Sequence, residues 1–414
     1  MDIIVTPQNL KGTVTAPPSK SYAIRLILAA FLSGQKTAVK NVGGCEDVVS
    51  AIGCVKALGA KITYDGRDTV FNGREKIDNA VLDCGESATL YRLLLPVVAA
   101  LGINAQFVLR GSLNGRESFA LIDCLNKHGA TTDGKTLTGK LKSGIYEIDA
   151  SKTSQYLSGL LFALPLTCGE SEIVVTGETV SAGYVDITSD VLKKFGVCIV
   201  KTNNRYFVHG CEYSAKAGYT VEGDWSAAAN ILALGAINGE SVTVEGLDLF
   251  SFQRDAAAIV NSFKRFGICA EFDDNKITVK KSFIGGIDID CKDIPDIVPV
   301  FAGIAAYASG TTVLKNVARL NNKESQRVKE IRASLSAAGV KCNFDGKNIS
   351  ITGGKTKAAN FKAVNDHRII MLDTILATGA DGPSVIRGVK CVDKSYPQFF
   401  EDYRAIGGKS DVEL

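Results

Sequence analysis

Six short segments of this 414-residue chain carry side chains whose types and spacing suit chemistry. Pro17–Arg25, PPSKSYAIR, joins Lys20 and Ser21 to Arg25, one helical turn further on, so that hydroxyl and guanidinium can face one ligand. Gly85–Arg92, GESATLYR, is a glycine turn followed by small residues that allow close backbone approach. It lacks the lysine of a P-loop and gives no support to nucleotide binding. Thr153-Ser154-Gln155 offers two hydroxyls and an amide, more than capping one helix uses. In Ile294–Gly303, Asp296 is a carboxylate in an almost wholly apolar run, and reads either as a helix cap or as a catalytic base. Asn321–Arg327 crowds Lys323, Glu324 and Arg327 together; two cations at i and i+4 repel unless an anion lies between them. Asn365–Leu372 opens on Asp366, His367 and Arg368, and His367 is one of only three histidines. The shared theme is anion binding with acid–base chemistry. Each segment alone also reads as an ordinary capped helix or a solvated charged turn.

The elements that must position these residues form a repeat. A glycine followed by a β-branched strand recurs at Gly34, Gly102, Gly169, Gly239, Gly310 and Gly382, with spacings of 68, 67, 70, 71 and 72 residues. Each anchor follows an apolar segment of helical character: Ser19–Ser33, Glu86–Leu101, Thr153–Cys168, Asp224–Asn238, Pro295–Ser309 and Asp366–Ala380. Being apolar nearly all round, these should be buried helices. Four open on a cap-like Ser19, Thr153, Asp224 or Asp366, and Pro295 suits a first helical turn. Second helices should open near Asp47, Arg116, Ser181, Arg254, Lys323 and Lys394. The candidates thus gather at helix N-termini, whose unpaired N–H groups and dipole ends favour anions. A polyanionic small molecule is the expected ligand.

Composition narrows the class. Net charge is +3, and 46% of residues are hydrophobic, so a broadly basic nucleic-acid or membrane-surface binder is excluded. No apolar run is long enough to cross a bilayer. Eleven cysteines without a C-x-x-C pair fit reduced packing thiols in a cytoplasmic protein better than disulfides or zinc. The opening residues show no signal-peptide pattern.

PPSKSYAIR, GESATLYR, TSQYLSGLL, SAGYVD, IPD, NNKESQR, NDHRI and KSYP occur in that order from residue 17 to 397. In this the chain resembles the 5-enolpyruvylshikimate-3-phosphate synthase family. The related UDP-N-acetylglucosamine transferases share the architecture but begin on a Gly-Ala-Lys-Asn type motif; Lys20-Ser21 with Arg25 favours the former. A sugar-nucleotide acceptor and a non-catalytic ligand-binding relative remain the alternatives.

The resemblance implies an α/β fold of two similar domains, each of three βαβαββ repeats, with the site in the cleft between them. It places the domains at 1–17 plus 223–414 and at 18–222. It implies enolpyruvyl transfer from phosphoenolpyruvate to shikimate 3-phosphate, by a monomer and without metal or other cofactor. By motif position Asp296 resembles the base at the 5-hydroxyl, with Lys20 and Glu324 as proton-transfer groups. Ser21, Arg25, Thr153, Ser154, Ser181, Tyr184 and Lys323 resemble shikimate 3-phosphate contacts, and Gln155 spans both substrates. Arg116, Arg327, Arg368 and Lys394 resemble the clamp on phosphoenolpyruvate, where a planar guanidinium suits paired oxygens. Ala88 stands where the family usually has glycine, beside the phosphoenolpyruvate pocket. An added methyl there predicts tolerance of the longer inhibitor glyphosate.

Overall fold

In a computed structural model, which describes residues 1–66, 68–116 and 118–412, the chain divides into two compact units. One comprises Met1–Pro17 and Glu222–Leu414, the other Pro18–Val221. Residues 413 and 414 of the expected 223–414 segment lie outside the described residues. The second crossing falls one residue earlier than expected. Glu222 belongs to the first unit because its carboxylate receives the Ser251 hydroxyl and the Gln253 amide.

Among the described residues each unit holds three four-stranded sheets, and all six share one pairing scheme. An edge strand runs parallel to a central strand, which pairs antiparallel with a third, and that with a fourth. In the second unit Asn79–Asp83 lies parallel to Asn104–Val108, followed by Thr136–Gly139 and Ala130–Thr132. Between the parallel pair runs the helix Ala88–Leu101, and between the second and fourth strands the helix Phe119–Asn126. This is the expected βαβαββ order.

Local order fails at three places, two in the first unit and one in the second. Leu10–Thr15 precedes the helix Lys20–Ser33, yet it pairs with Gly239–Glu245. Gly218–Thr220 precedes the helix Trp225–Asn238, yet it pairs with Lys36–Lys40. The two crossings exchange edge strands, so each sheet is completed by a segment distant in sequence. A third sheet is closed by the N-terminal strand Ile3–Thr6, set between Ser384–Ile386 and Lys409–Val412.

The six apolar segments are helices: Lys20–Ser33, Ala88–Leu101, Gln155–Ala163, Trp225–Asn238, Val298–Ala305 and His367–Thr378. They are buried nearly all round, in two separate hydrophobic cores, one per unit. Of the boundaries that differ from expectation, two have a proline at them. Pro165 turns the end of the third helix into a 3-10 turn over Leu164–Leu166, since it cannot donate to the helical ladder. Pro299, not Pro295, occupies the first turn of the fifth. Close packing needs glycine at Gly159, where a Cβ would lie 2.3 Å from the Arg92 carbonyl oxygen of the neighbouring helix.

The second helices run Glu46–Ala57, Phe119–Asn126, Gly183–Lys194, Arg254–Phe266, Arg327–Ala337 and Phe399–Ala405. Three expected starting residues therefore stand ahead of them. Arg116 and Lys323 directly follow the 3-10 turns Gly111–Gly115 and Ala318–Asn322, and Lys394 ends the turn Val389–Lys394. These cations sit at equivalent points of three repeats, on tight turns rather than helix ends.

Candidate active site

In the first unit the starts of five helices converge. Asp366 caps His367–Thr378, accepting from the Arg368 amide at 3.0 Å. Its carboxylate also takes the Ser325 hydroxyl at 2.9 Å and the guanidinium of Arg327, the first residue of its own helix. Arg327 is completely buried and makes four hydrogen bonds to carboxylates. Nε and NH2 reach Asp366 at 3.0 and 3.2 Å, NH1 reaches Asp296 at 3.2 Å, and NH2 reaches Glu324 at 2.7 Å. A guanidinium has five N–H donors, so about one is left for anything else. Sequence spacing put Arg327 and Lys323 around an anion; the anions nearest to them are the protein's own carboxylates.

Asp296 stands one residue outside the cap of Val298–Ala305 and is turned toward Arg327 and Lys323, the latter 3.6 Å away. Burial lowers the Lys323 ammonium from its usual range, and Asp296 opposes that shift. One guanidinium therefore holds the two acidic candidates, Asp296 and Glu324, with Lys323 beside the first.

Arg368, also buried, is held by neutral groups: NH1 donates to the Ser226 carbonyl at 2.9 Å and NH2 to the Ser226 hydroxyl at 2.7 Å. Its Nε is buried with no hydrogen-bond partner among the described residues. A buried, unsatisfied cationic donor is costly and marks a place where an anion fits. Lys394 is buried in the same unit.

Two residues here, Ser226 and Asp255, escaped the sequence reading. Ser226 and Asp224 open the helix Trp225–Asn238, with the Ser226 hydroxyl donating to Asp224 at 2.7 Å. Asp255, in the first turn of Arg254–Phe266, is pushed up to about 8 by burial first and then by the Asp296 carboxylate, against the pull of Arg368. Asp224 was recognisable as a cap; no local pattern distinguishes Ser226 or Asp255.

In the second unit Lys20 begins the helix Lys20–Ser33 and pairs with Asp47 of Glu46–Ala57 at 3.0 Å. Arg25 is fully buried with three neutral partners: Thr188 Oγ1 at 2.8 Å, the Ser21 carbonyl at 2.9 Å and the Tyr184 carbonyl at 3.3 Å. Burial pushes its guanidinium down to about 10, so it is still charged at neutral pH. Arg25 thus joins Ser21 to Tyr184, which directly follows the first residue of Gly183–Lys194. Ser154 donates to the Ser181 carbonyl at 3.1 Å, and Ser181 has a left-handed backbone with φ of 53°. Thr153 accepts from the Gln155 amide at 3.2 Å. The Gln155 side chain donates to Thr89 and accepts from Arg92, both at 2.8 Å. Ala88, the first residue of its helix, is buried under the Ser87 cap. Arg116 is half-buried. With the Tyr184 amide donating to the Ser181 carbonyl at 3.1 Å, Lys20, Ser21, Arg25, Tyr184, Ser154 and Ser181 are linked through three helix starts and one strained turn.

Residues 4–403 match the family described as EPSP synthase (3-phosphoshikimate 1-carboxyvinyltransferase). The chain belongs to that family. A 3-phosphoshikimate 1-carboxyvinyltransferase of Clostridium kluyveri is 36% identical over 419 residues, covering 99% of this chain and 98% of the relative. The enzyme of the same name from Clostridium acetobutylicum is 35% identical over 418 residues, covering 98% and 97%. The fold is that of solved relatives. An EPSP synthase structure from Acinetobacter baumannii superposes with a TM-score of 0.84 over 100% of both chains at 24% identity. The enolpyruvyl transferase NikO from Streptomyces tendae superposes with 0.78 over 99% and 98% at 17% identity. No helix among the described residues is long and apolar enough to cross a membrane.

Proposed function

We propose that this chain transfers the enolpyruvyl group of phosphoenolpyruvate to the 5-hydroxyl of shikimate 3-phosphate, releasing phosphate, in the shikimate route to aromatic amino acids. The observation that carries this reading is the pair Asp296 and Glu324, held by one buried Arg327 guanidinium. Addition requires the 5-hydroxyl oxygen to bond to C2 of phosphoenolpyruvate, losing a proton while C3 gains one. Elimination then removes a proton from C3 and breaks the bond to phosphate. Two carboxyl groups on a common anchor suit such paired proton transfers.

Asp296 takes the hydroxyl proton, with Lys323 and Arg327 holding its carboxylate in place. Glu324 and Lys20 move protons at the enol carbon and the leaving phosphate. Arg368, Arg116 and Lys394 receive the anionic groups of phosphoenolpyruvate, the unpartnered Nε of Arg368 supporting its part. Arg327 has about one donor to add to that clamp, so its main task is to hold Asp296 and Glu324. Ser21, Arg25, Thr153, Ser154, Ser181, Tyr184 and Lys323 receive shikimate 3-phosphate, and Gln155 contacts both substrates. Arg25, which makes no ion pair among the described residues, supports a phosphate there. No cofactor enters this scheme.

The chain acts as a cytoplasmic monomer in this reading; its free cysteines suit a reducing compartment. The test is phosphate release on mixing phosphoenolpyruvate with shikimate 3-phosphate, run in parallel with UDP-N-acetylglucosamine as acceptor. Release with the first acceptor alone is expected; release with the second alone selects the sugar-nucleotide alternative.

A further inference from the structure

The first unit holds two buried guanidiniums in opposite ways. Arg327 is surrounded by carboxylates, whereas Arg368 makes no ion pair among the described residues. Both terminal nitrogens of Arg368 rest on one residue, Ser226, at 2.9 Å from its carbonyl oxygen and 2.7 Å from its hydroxyl oxygen. A hydroxyl has a single proton, and that of Ser226 is committed to Asp224 Oδ1 at 2.7 Å. Only its lone pairs can then face Arg368. The same Asp224 oxygen accepts from the Ala227 amide at 2.9 Å, so the helix start itself fixes the chain of bonds.

We propose that Ser226 is a positioning residue, a neutral two-oxygen fork oriented by Asp224 that aims Arg368 while leaving its positive charge uncancelled for an anionic substrate group. A carboxylate in that place would hold Arg368 as firmly but neutralise it. The nearby acid Asp255 does not do so either, because burial and the Asp296 and Asp224 carboxylates push it up to about 8, protonated at neutral pH. The orphan Nε of Arg368 marks the donor left over for the ligand. This inference rests on the reading of Arg368 as a phosphoenolpyruvate contact.

The experiment uses the full chain, with Ser226→Ala, Ser226→Thr and Arg368→Gln variants assayed for phosphate release. Ser226→Ala should raise the KM for phosphoenolpyruvate about tenfold, the usual loss for one hydrogen bond to a charged group, while the KM for shikimate 3-phosphate stays within about twofold. Ser226→Thr, which keeps the hydroxyl, should restore the phosphoenolpyruvate KM. The single tryptophan, Trp225, is buried next to Ser226, so unchanged emission and thermal midpoint show that the helix start is intact. If Arg368→Gln raises the phosphoenolpyruvate KM and a folded Ser226→Ala does not, Ser226 has no such role. If Arg368→Gln itself leaves that KM unchanged, the reading of Arg368 fails instead. Should the alanine variant not fold, Ser226→Cys keeps the volume with a weaker acceptor and must show a raised KM for the proposal to stand.

Discussion

Asp366 receives Arg327 on both carboxylate oxygens, 3.0 Å from Nε and 3.2 Å from NH2, with both side chains sealed from solvent. Removing one partner of a buried ion pair leaves the other charged and unsolvated, which costs about 3–5 kcal/mol. Asp366→Ala should therefore destabilise the chain by about that amount in urea unfolding, and Asp366→Asn by less, since an amide still accepts one bond. Turnover should fall in both, because Asp296 and Glu324 share the guanidinium that Asp366 anchors. An Asp366→Ala loss under about 1 kcal/mol, the scale of an exposed pair, would show that Arg327 finds compensation elsewhere.

Asp296→Asn keeps the size of the side chain and a hydrogen-bond acceptor for Arg327 but removes the base. Turnover should drop by about 10²–10⁴, the usual contribution of general acid–base catalysis. Binding of shikimate 3-phosphate, followed by calorimetry, should change little. Undiminished phosphate release would take the proton-transfer role away from Asp296.

What the sequence revealed depended on whether a signal is local. The apolar runs and the glycine anchors are local, so the buried helices and their period are readable within a few residues of their ends. The exchange of Leu10–Thr15 and Gly218–Thr220 is not local: each strand has a neighbour in sequence that it does not pair with. The same distinction runs through the site. Lys20, Asp296, Glu324 and Arg368 stand in recognisable motifs, whereas Ser226 acquires its meaning only from an arginine 142 positions away. The i, i+4 spacing of Lys323 and Arg327 suggested an anion but did not reveal that Asp296, Glu324 and Asp366 supply it.

Ala88 fills space at a helix start where its methyl group is buried. If that methyl is what excludes glyphosate, Ala88→Gly should lower the half-inhibitory glyphosate concentration at fixed phosphoenolpyruvate, with little change in the KM of the smaller substrate. A glycine at a helix start also costs up to about 1 kcal/mol of stability, so the thermal midpoint should be followed alongside. Equal inhibition of both proteins removes the steric explanation.

Asp255 gives the stability a pH dependence of definite sign. Its folded-state value of about 8 lies above the ordinary aspartate value of 3.8, so the folded chain binds the proton more tightly than the unfolded one. The contribution is fully present below pH 3.8 and is lost as pH rises toward 8. Asp255→Asn, which cannot ionise, should be relatively more stable than the parent at pH 8, with the gap closing as pH falls toward 4. Thermal midpoints of the two proteins across that range check this, and a gap independent of pH would mean that Asp255 ionises as readily in the folded chain as in the unfolded one.

The cysteines separate by exposure, which a thiol reagent can read directly. Cys168, Cys198, Cys211 and Cys269 are exposed; Cys45, Cys54, Cys84, Cys124 and Cys291 are buried, and Cys342 and Cys391 fall between. Burial also pushes the Cys124, Cys291 and Cys391 thiols up to about 12, and the thiolate is the reactive form. Titration of the native chain with an aromatic disulfide at pH 8 should show a fast phase confined to the four exposed residues, with Cys342 and Cys391 slower. All eleven should react after denaturation without reductant, because none is bonded to another. Peptide mapping of the fast phase assigns the sites, and early labelling of Cys84 or Cys291 would mean that those cores open far more readily than their packing allows.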